Sequence, residues 1–202
     1  LHTGTSVSHL TGDLVRLSVD LVDATPGALT GLGRVVVAMF AFFFGAAISG
    51  FVVHNPGLNL ARPYARTVVF IGVVFLAASW GIPYAPTAGI ALAAFGCGLQ
   101  NALASRYRGI ILRTTHLTGI ITDLGVGIGM RVRGFDVPTW KLLVPLTLII
   151  SFFLGGLSGA VTYYFTMYDP VWIAGLAYCV TGVLWASRRL TQRALRRGPD
   201  AS

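Results

Sequence analysis

Five stretches of this chain run for most or all of the length of a membrane-crossing helix without one charged residue: about Val35 to Val53, Thr67 to Ile82, Thr87 to Ala104, Leu142 to Phe165 and Val171 to Ala186. A hydrocarbon core about 30 Å thick is crossed by roughly 17–25 apolar residues in helical form. Lipid offers the backbone no hydrogen-bond partner, so such runs predict helices. Only 11% of the residues are charged and none is glutamate, whereas a soluble domain carries about 25%. The chain lacks the polar surface to cover itself in water. The expectation is an all-α integral membrane protein, a polytopic helix bundle forming one transmembrane domain over residues 1–202. A soluble protein with buried core helices is the alternative, and the run lengths oppose it.

The ends of the runs are marked in the usual ways. Arg34 precedes the first and the turn signal His54-Asn55-Pro56-Gly57 follows it. Arg66 and Pro83 bound the second, and Arg106-Tyr107-Arg108 stops the third. Trp140-Lys141, an interfacial aromatic and a snorkelling cation, opens the fourth. Pro170 opens the last, where proline suits the first helical turn.

Charge in the connections sets an orientation. Arg62 and Arg66 follow the first run, and residues 81–86 carry no charge. Arg106, Arg108, Arg113, Arg131, Arg133 and Lys141 crowd the third connection, the fourth is Asp169 alone among ionised groups, and the tail is arginine-rich. Basic connections belong on the cytoplasmic side. The C-terminus, including a basic tail over residues 189–202, is therefore expected in the cytoplasm of a bacterial inner membrane. The segment with Asp13, Asp20 and Asp23 is expected outside. The net charge of +8 is thereby explained by anionic headgroups, and no nucleic-acid partner is expected.

A repeat runs through this layout. Ser8-His9-Leu10-Thr11-Gly12 returns as Thr115-His116-Leu117-Thr118-Gly119, and Phe43-Phe44 with Ser49-Gly50 returns as Phe152-Phe153 with Ser158-Gly159, offset by about 107–109 positions. The second repeat (83–188) has a span before its pentapeptide and two after it. The first (1–82) shows only the two after. Either a first helix ahead of Leu1 completes it, for six spans in all with five visible, or the shorter first half is natural. Three spans per half is an odd number, so two inverted three-helix repeats are expected, one pentapeptide on each side of the membrane.

Residues 10–24 and 117–132 are poor spans. The first sets Asp13, Arg16, Asp20 and Asp23 against Leu10, Leu14, Leu17 and Leu21 at amphipathic spacing. The second is apolar but glycine-rich. Each reads as an interfacial helix or a re-entrant half-helix, with Ser or Thr as its natural N-cap. A half-helix starting at membrane depth presents partial positive charge, a common element of transporter sites. The candidate substrate or ion pathway is therefore His9, Thr11, Gly12, Thr115, His116, Thr118 and Gly119. Asp123, in an apolar setting, and the intramembrane amides Gln100 and Asn101 join it. The bland counterpart is that the pentapeptides cap helices, the histidines bond backbone carbonyls, and the amides pair between helices at about 1 kcal/mol each. Gly45, Ser49, Gly50, Gly155, Ser158 and Gly159 are expected to let helices approach closely, as a seam between the halves. Cys97 and Cys179 lie in apolar runs and read as packing residues, so neither a disulfide nor a metal site is expected. Nothing matches a nucleophile triad, a zinc motif or a phosphate loop, and no cofactor and no enzymatic activity are expected.

The run Phe95-Gly96-Cys97-Gly98-Leu99-Gln100-Asn101-Ala102, then Arg113-Thr114-Thr115-His116-Leu117-Thr118-Gly119, then Thr122-Asp123-Leu124-Gly125 resembles the YoaK family of small bacterial membrane proteins, domain of unknown function 1275. The Ser8–Gly12 element resembles that family's first-half motif, except that Asp13 stands where the family commonly has asparagine. The resemblance covers essentially the whole chain and implies six membrane helices; it implies no reaction. The function expected is a small-molecule or ion transporter, permease-like, with a site between inverted repeats. The competing expectation is a non-transporting scaffold or partner-binding subunit whose Thr-Gly motifs are structural caps. The lipid bilayer and an unidentified small solute or ion are the partners expected, and a homo-oligomer is compatible with either reading.

Overall fold

A computed structural model describes residues 8–24, 26–52, 64–104, 116–166 and 168–196. Among these, seven helices and no strand occur: α1 Leu10–Val22, α2 Ala28–Val52, α3 Ala65–Gly81, α4 Pro86–Ala104, α5 Leu117–Val132, α6 Thr139–Thr166 and α7 Pro170–Arg196. Each of the five apolar runs lies within a helix to within a residue of its ends. By length and composition α2, α6 and the first part of α7, Pro170–Arg188, could each cross a membrane, and α3 is apolar but shorter at 17 residues. The last helix runs past the end of its apolar run, through Arg188 to Arg196.

Four helices make the core. α4 lies between α2 and α3, and α7 covers the other side of α3. Ala38 of α2 packs with Ile90 and Ala94 of α4, while Gly45 and Phe42 further along α2 meet Phe95 and Gly98 further along α4. The two helices therefore run parallel. Their approach is so close that a Cβ at Gly45 would collide with the Phe95 carbonyl, and one at Gly98 with the Phe42 carbonyl. α3 and α7 run antiparallel. A Cβ at Gly72 would fall 2.7 Å from the Gly175 carbonyl oxygen, and one at Gly182 would fall 3.0 Å from that of Ala65. Between lipid-like surfaces, helices are held by van der Waals contact, which small residues maximise. Ile71, Phe75 and Leu99 close the centre, with Tyr178 and Cys97 packed on them.

Asp169 ties the start of α7 to this core. Its Oδ1 accepts the Val171 N–H at 2.9 Å and its Oδ2 accepts from the Ser79 hydroxyl of α3. Pro170 follows as the first helical residue, so the cap and the helix start are both built locally. By contrast, α6 touches α7 only lightly and pairs with α5. Most of its length, including Phe153, Leu154 and Leu157, is exposed.

Candidate functional site: two folded-back helices

The repeated pentapeptides both begin helices, and in the same way. His9 and His116 hold the N-cap positions, at φ −113°, ψ 48° and φ −95°, ψ 65°. Leu10 and Leu117 are the first helical residues, Thr11 and Thr118 the second, and Gly12 and Gly119 the third. The His9 carbonyl accepts from Gly12 N–H at 3.0 Å, and that of His116 from Ile120 N–H at 3.2 Å. Serine or threonine as the N-cap is the expectation that fails here: the histidine holds that place, and neither histidine side chain bonds the backbone of its helix's first turn. Thr115 lies outside the described residues. A side chain added at Gly12 or Gly119 would meet nothing, so the helix starts are open.

Each short helix then folds back along the long helix that follows it. Leu10 packs against the cluster around Ala38, well inside α2. Leu17, about two turns further down α1, reaches within 3.4 Å of where a Cβ on Gly31 would stand, near the start of α2. The two helices are thus antiparallel, and α1 begins about 15 Å along α2, at the rise of about 1.5 Å per residue. The ring of His9 also stands edge-on to Phe152, 5.9 Å between centroids. Phe152 is midway along the 28 residues of α6, about 20 Å from either end.

The second hairpin repeats the geometry. α5 ends in a Schellman turn: Gly134 at φ 88° donates to the Arg131 carbonyl at 3.0 Å and Phe135 donates to that of Met130 at 3.1 Å. Only a residue free to take positive φ fits there without strain. The chain reverses through Asp136, Val137 and Pro138 into α6. Gly127 allows the two helices to close, since a Cβ there would lie 2.7 Å from Leu142 Cδ2. Asp123 stands at the level of Pro145, and the two turns back to His116 add about 10 Å. That carries the start of α5 toward the middle of α6.

Between α5 and α6 lies a cavity of about 420 Å³, lined by Asp123, Val126, Gly127, Met130, Asp136, Val137, Pro138, Lys141, Leu142 and Pro145. The size suits a small solute. Two carboxylates and one ammonium project from an otherwise apolar wall, which favours a ligand carrying positive charge or both signs. Of the sequence-derived candidates, this cavity takes in Asp123 alone. His9 belongs to the α1–α2 hairpin, and Gln100 and Asn101 to the last turn of α4, where Asn101 is buried and Gln100 half-buried. No contact between α1 and α5 joins the two hairpins among the described residues. Asp136, Lys141 and the buried Pro145 were not singled out as site residues by sequence. Gly134 and Pro138 are the signals that find them, because together they mark the reversal that returns Asp136 toward Asp123. Among the described residues, no group of three or more His, Cys, Asp or Glu side chains could hold a metal ion.

The small-residue sets separate in the same comparison. Gly45 and Ser49 lie in the α2–α4 contact, between the two halves of the chain. Gly50, Gly155 and Gly156 face open space, Ser158 is exposed, and Gly159 has Pro170 as its nearest neighbour at 3.7 Å from an added Cβ.

A family model described as "Protein of unknown function (DUF1275)" matches residues 1–184, a stretch that includes both pentapeptides, four of the five apolar runs whole and the fifth as far as Leu184. No curated protein and no solved structure matches the chain. With that match spanning both folded-back hairpins and the core between them, the chain belongs to the DUF1275 family.

Proposed function

We propose that this chain is an inner-membrane permease for a small cationic or zwitterionic solute, built from two inverted repeats. The observation that carries the reading is the depth of the repeated element. His9 rests on the middle of α6, a helix long and apolar enough to cross a bilayer, so α1 starts near half depth as a re-entrant helix does. Paired half-helices entering from opposite sides are a recurring way to build transporter sites, because their N-termini and unwound flanks offer polar groups where lipid offers none. Helix directions support the same topology. α2 and α4 run parallel and α3 runs against them, as the alternation of basic and uncharged connections requires. Basic connections and the C-terminus are then cytoplasmic, α1 opens outward, and the α5–α6 cavity opens to the cytoplasm.

In this reading Asp123 and Asp136 neutralise the positive group of the solute, Lys141 meets its negative group, and the hairpins gate the two sides. No bond is made or broken, so no enzymatic role is included. The test is uptake by vesicles carrying the purified protein, against a panel of amines, amino acids and monovalent cations. Saturable uptake that Asp123→Asn lowers at least about tenfold, the weight of a charge-assisted contact of about 1.4 kcal/mol or more, supports the site. Uptake unchanged in both Asp123→Asn and Asp136→Asn removes the cavity from the pathway.

A second reading has its own support. His9, Thr11, His116 and Thr118 lie outside the cavity, and α6 leaves a long apolar side uncovered. Both facts suit a scaffold whose pentapeptides start helices and whose surface binds another membrane protein. Absence of uptake for every solute in the panel, together with stable co-purification of a partner lost on substitution of α6, favours that reading.

A further inference from the structure

Each hairpin sets an acid of its short helix near a base of its long one, and in the α1–α2 hairpin that base has an enclosed donor with nothing to bond. Leu17 and Gly31 mark where α1 and α2 meet. Asp13 lies four residues before Leu17, and Arg34 lies three after Gly31. The helices are antiparallel, so both steps lead the same way, and at about 1.5 Å per residue the two positions share one level. At 3.6 residues per turn they also share one flank of the pair. Both residues are half-buried. The Arg34 Nε is fully enclosed and has no hydrogen-bond partner among the described residues. Asp20, further along α1, is engaged by Arg16 at 4.0 Å, so Asp13 is the carboxylate at the level of the Arg34 guanidinium.

The α5–α6 hairpin holds the same pairing. Asp123 lies four residues before Gly127, the residue of α5 that meets Leu142, and Lys141 adjoins Leu142. Both charges line one cavity. Lys141 follows Arg34 at the interval at which His116 follows His9, so the two bases correspond within the repeat. A guanidinium stays charged at every accessible pH, and an enclosed N–H donor without an acceptor is costly. An anionic group removes that cost, and a carboxylate or phosphate fits the planar fork best. With Asp13 beside it a plain anion is repelled, whereas a molecule carrying an ammonium and an anionic group a few atoms apart satisfies both.

We propose that Asp13 and Arg34 form a second binding site, in the outer hairpin, for the solute that Asp123 and Lys141 receive in the inner one, and that this solute is a zwitterion of the amino-acid type. Its ammonium group meets Asp13 outside and Asp123 inside, and its carboxylate meets Arg34 and then Lys141. The proposal rests on the permease reading and narrows its solute class, since a simple amine would give neither base a role.

The test is ligand-induced thermal stabilisation of the purified protein in lipid nanodiscs, since a ligand of the folded state raises its melting temperature. The probes are amino acids and the amines that lack only their carboxylate, such as γ-aminobutyrate against propylamine, with O-phosphoethanolamine as a lipid-headgroup mimic. Amino acids should stabilise the protein and their matched amines should not. In a Lys141→Gln background, which reads the outer site alone, Arg34→Gln should weaken the remaining binding at least about tenfold. Where Arg34→Gln does not accumulate, Asp13→Asn should weaken it likewise. Amines that bind as well as amino acids overturn the zwitterion, and a response to O-phosphoethanolamine alone gives the site to a lipid headgroup instead. No stabilisation by any probe also overturns the proposal. So does an Arg34→Gln protein that melts lower without ligand yet keeps its full response, because Arg34 is then half of a structural ion pair. Uptake is measured separately: binding without uptake defeats the permease reading and keeps the site, while uptake of amines alone defeats the zwitterion and keeps the permease.

Discussion

Gly98 and Ser49 show how unequally two neighbouring positions of one interface are constrained. Gly98 faces the Phe42 carbonyl with no room for a Cβ, so Gly98→Leu must push two backbones apart. Overpacking of this kind costs about 1–3 kcal/mol, and the upper end applies where backbone is the obstacle. Ser49 is 1% exposed, and its hydroxyl has no hydrogen-bond partner among the described residues. Removing an unsatisfied buried hydroxyl from a site that alanine fills is neutral or stabilising. Thermal unfolding of the detergent-solubilised protein should therefore drop for Gly98→Leu and stay level or rise for Ser49→Ala. At this scale the sequence is informative about type but not about place. Gly45-x-x-x-Ser49 and Gly155-x-x-Ser158 look alike as strings, yet one is packed under α4 and the other is open.

At the scale of elements, the apolar runs place five helices, because lipid-length apolar segments have one backbone solution, but α2 starts at Ala28, ahead of its run, and α7 runs on past its own to Arg196. The two short helices are different. Amphipathic spacing in residues 10–24 is equally compatible with a helix on the membrane surface and one entering it. The proposed entry rests on contacts between residues far apart in sequence, Leu10 with the Ala38–Ile90–Ala94 cluster and His9 with Phe152. The proposed entry has a measurable consequence. In intact cells, a cysteine placed at Val22, where α1 ends, should react rapidly with an impermeant maleimide added outside. One placed at Leu10 should react far more slowly, whereas a surface-lying α1 would leave the two comparable. The Asp123 cavity belongs to this scale too. Asp123 stands out in sequence as a carboxylate in an apolar setting, but Asp136 and Lys141 join it only because Gly134 reverses the chain.

For the whole molecule, the alternation of basic and uncharged connections and the helix directions support the topology proposed above. A periplasmic reporter enzyme fused after Tyr84, in the short α3–α4 connection, should be active, while the same reporter fused at the C-terminus should not. Activity at both positions would undo the inverted arrangement. What the sequence by itself determined is the helical, strongly apolar character of the chain and its family, since these depend on composition, run length and recurring strings. Tertiary structure alone decided which face of each helix is covered, that His9 meets Phe152 midway along α6, and that a cavity forms beside Asp123. The physical reason is that lipid penalises unpaired backbone wherever it occurs, which makes secondary structure a local matter. Between one apolar helix surface and another, however, it offers little preference. The choice of partner falls to close packing at a few small residues, and only the assembled molecule shows which of them meet.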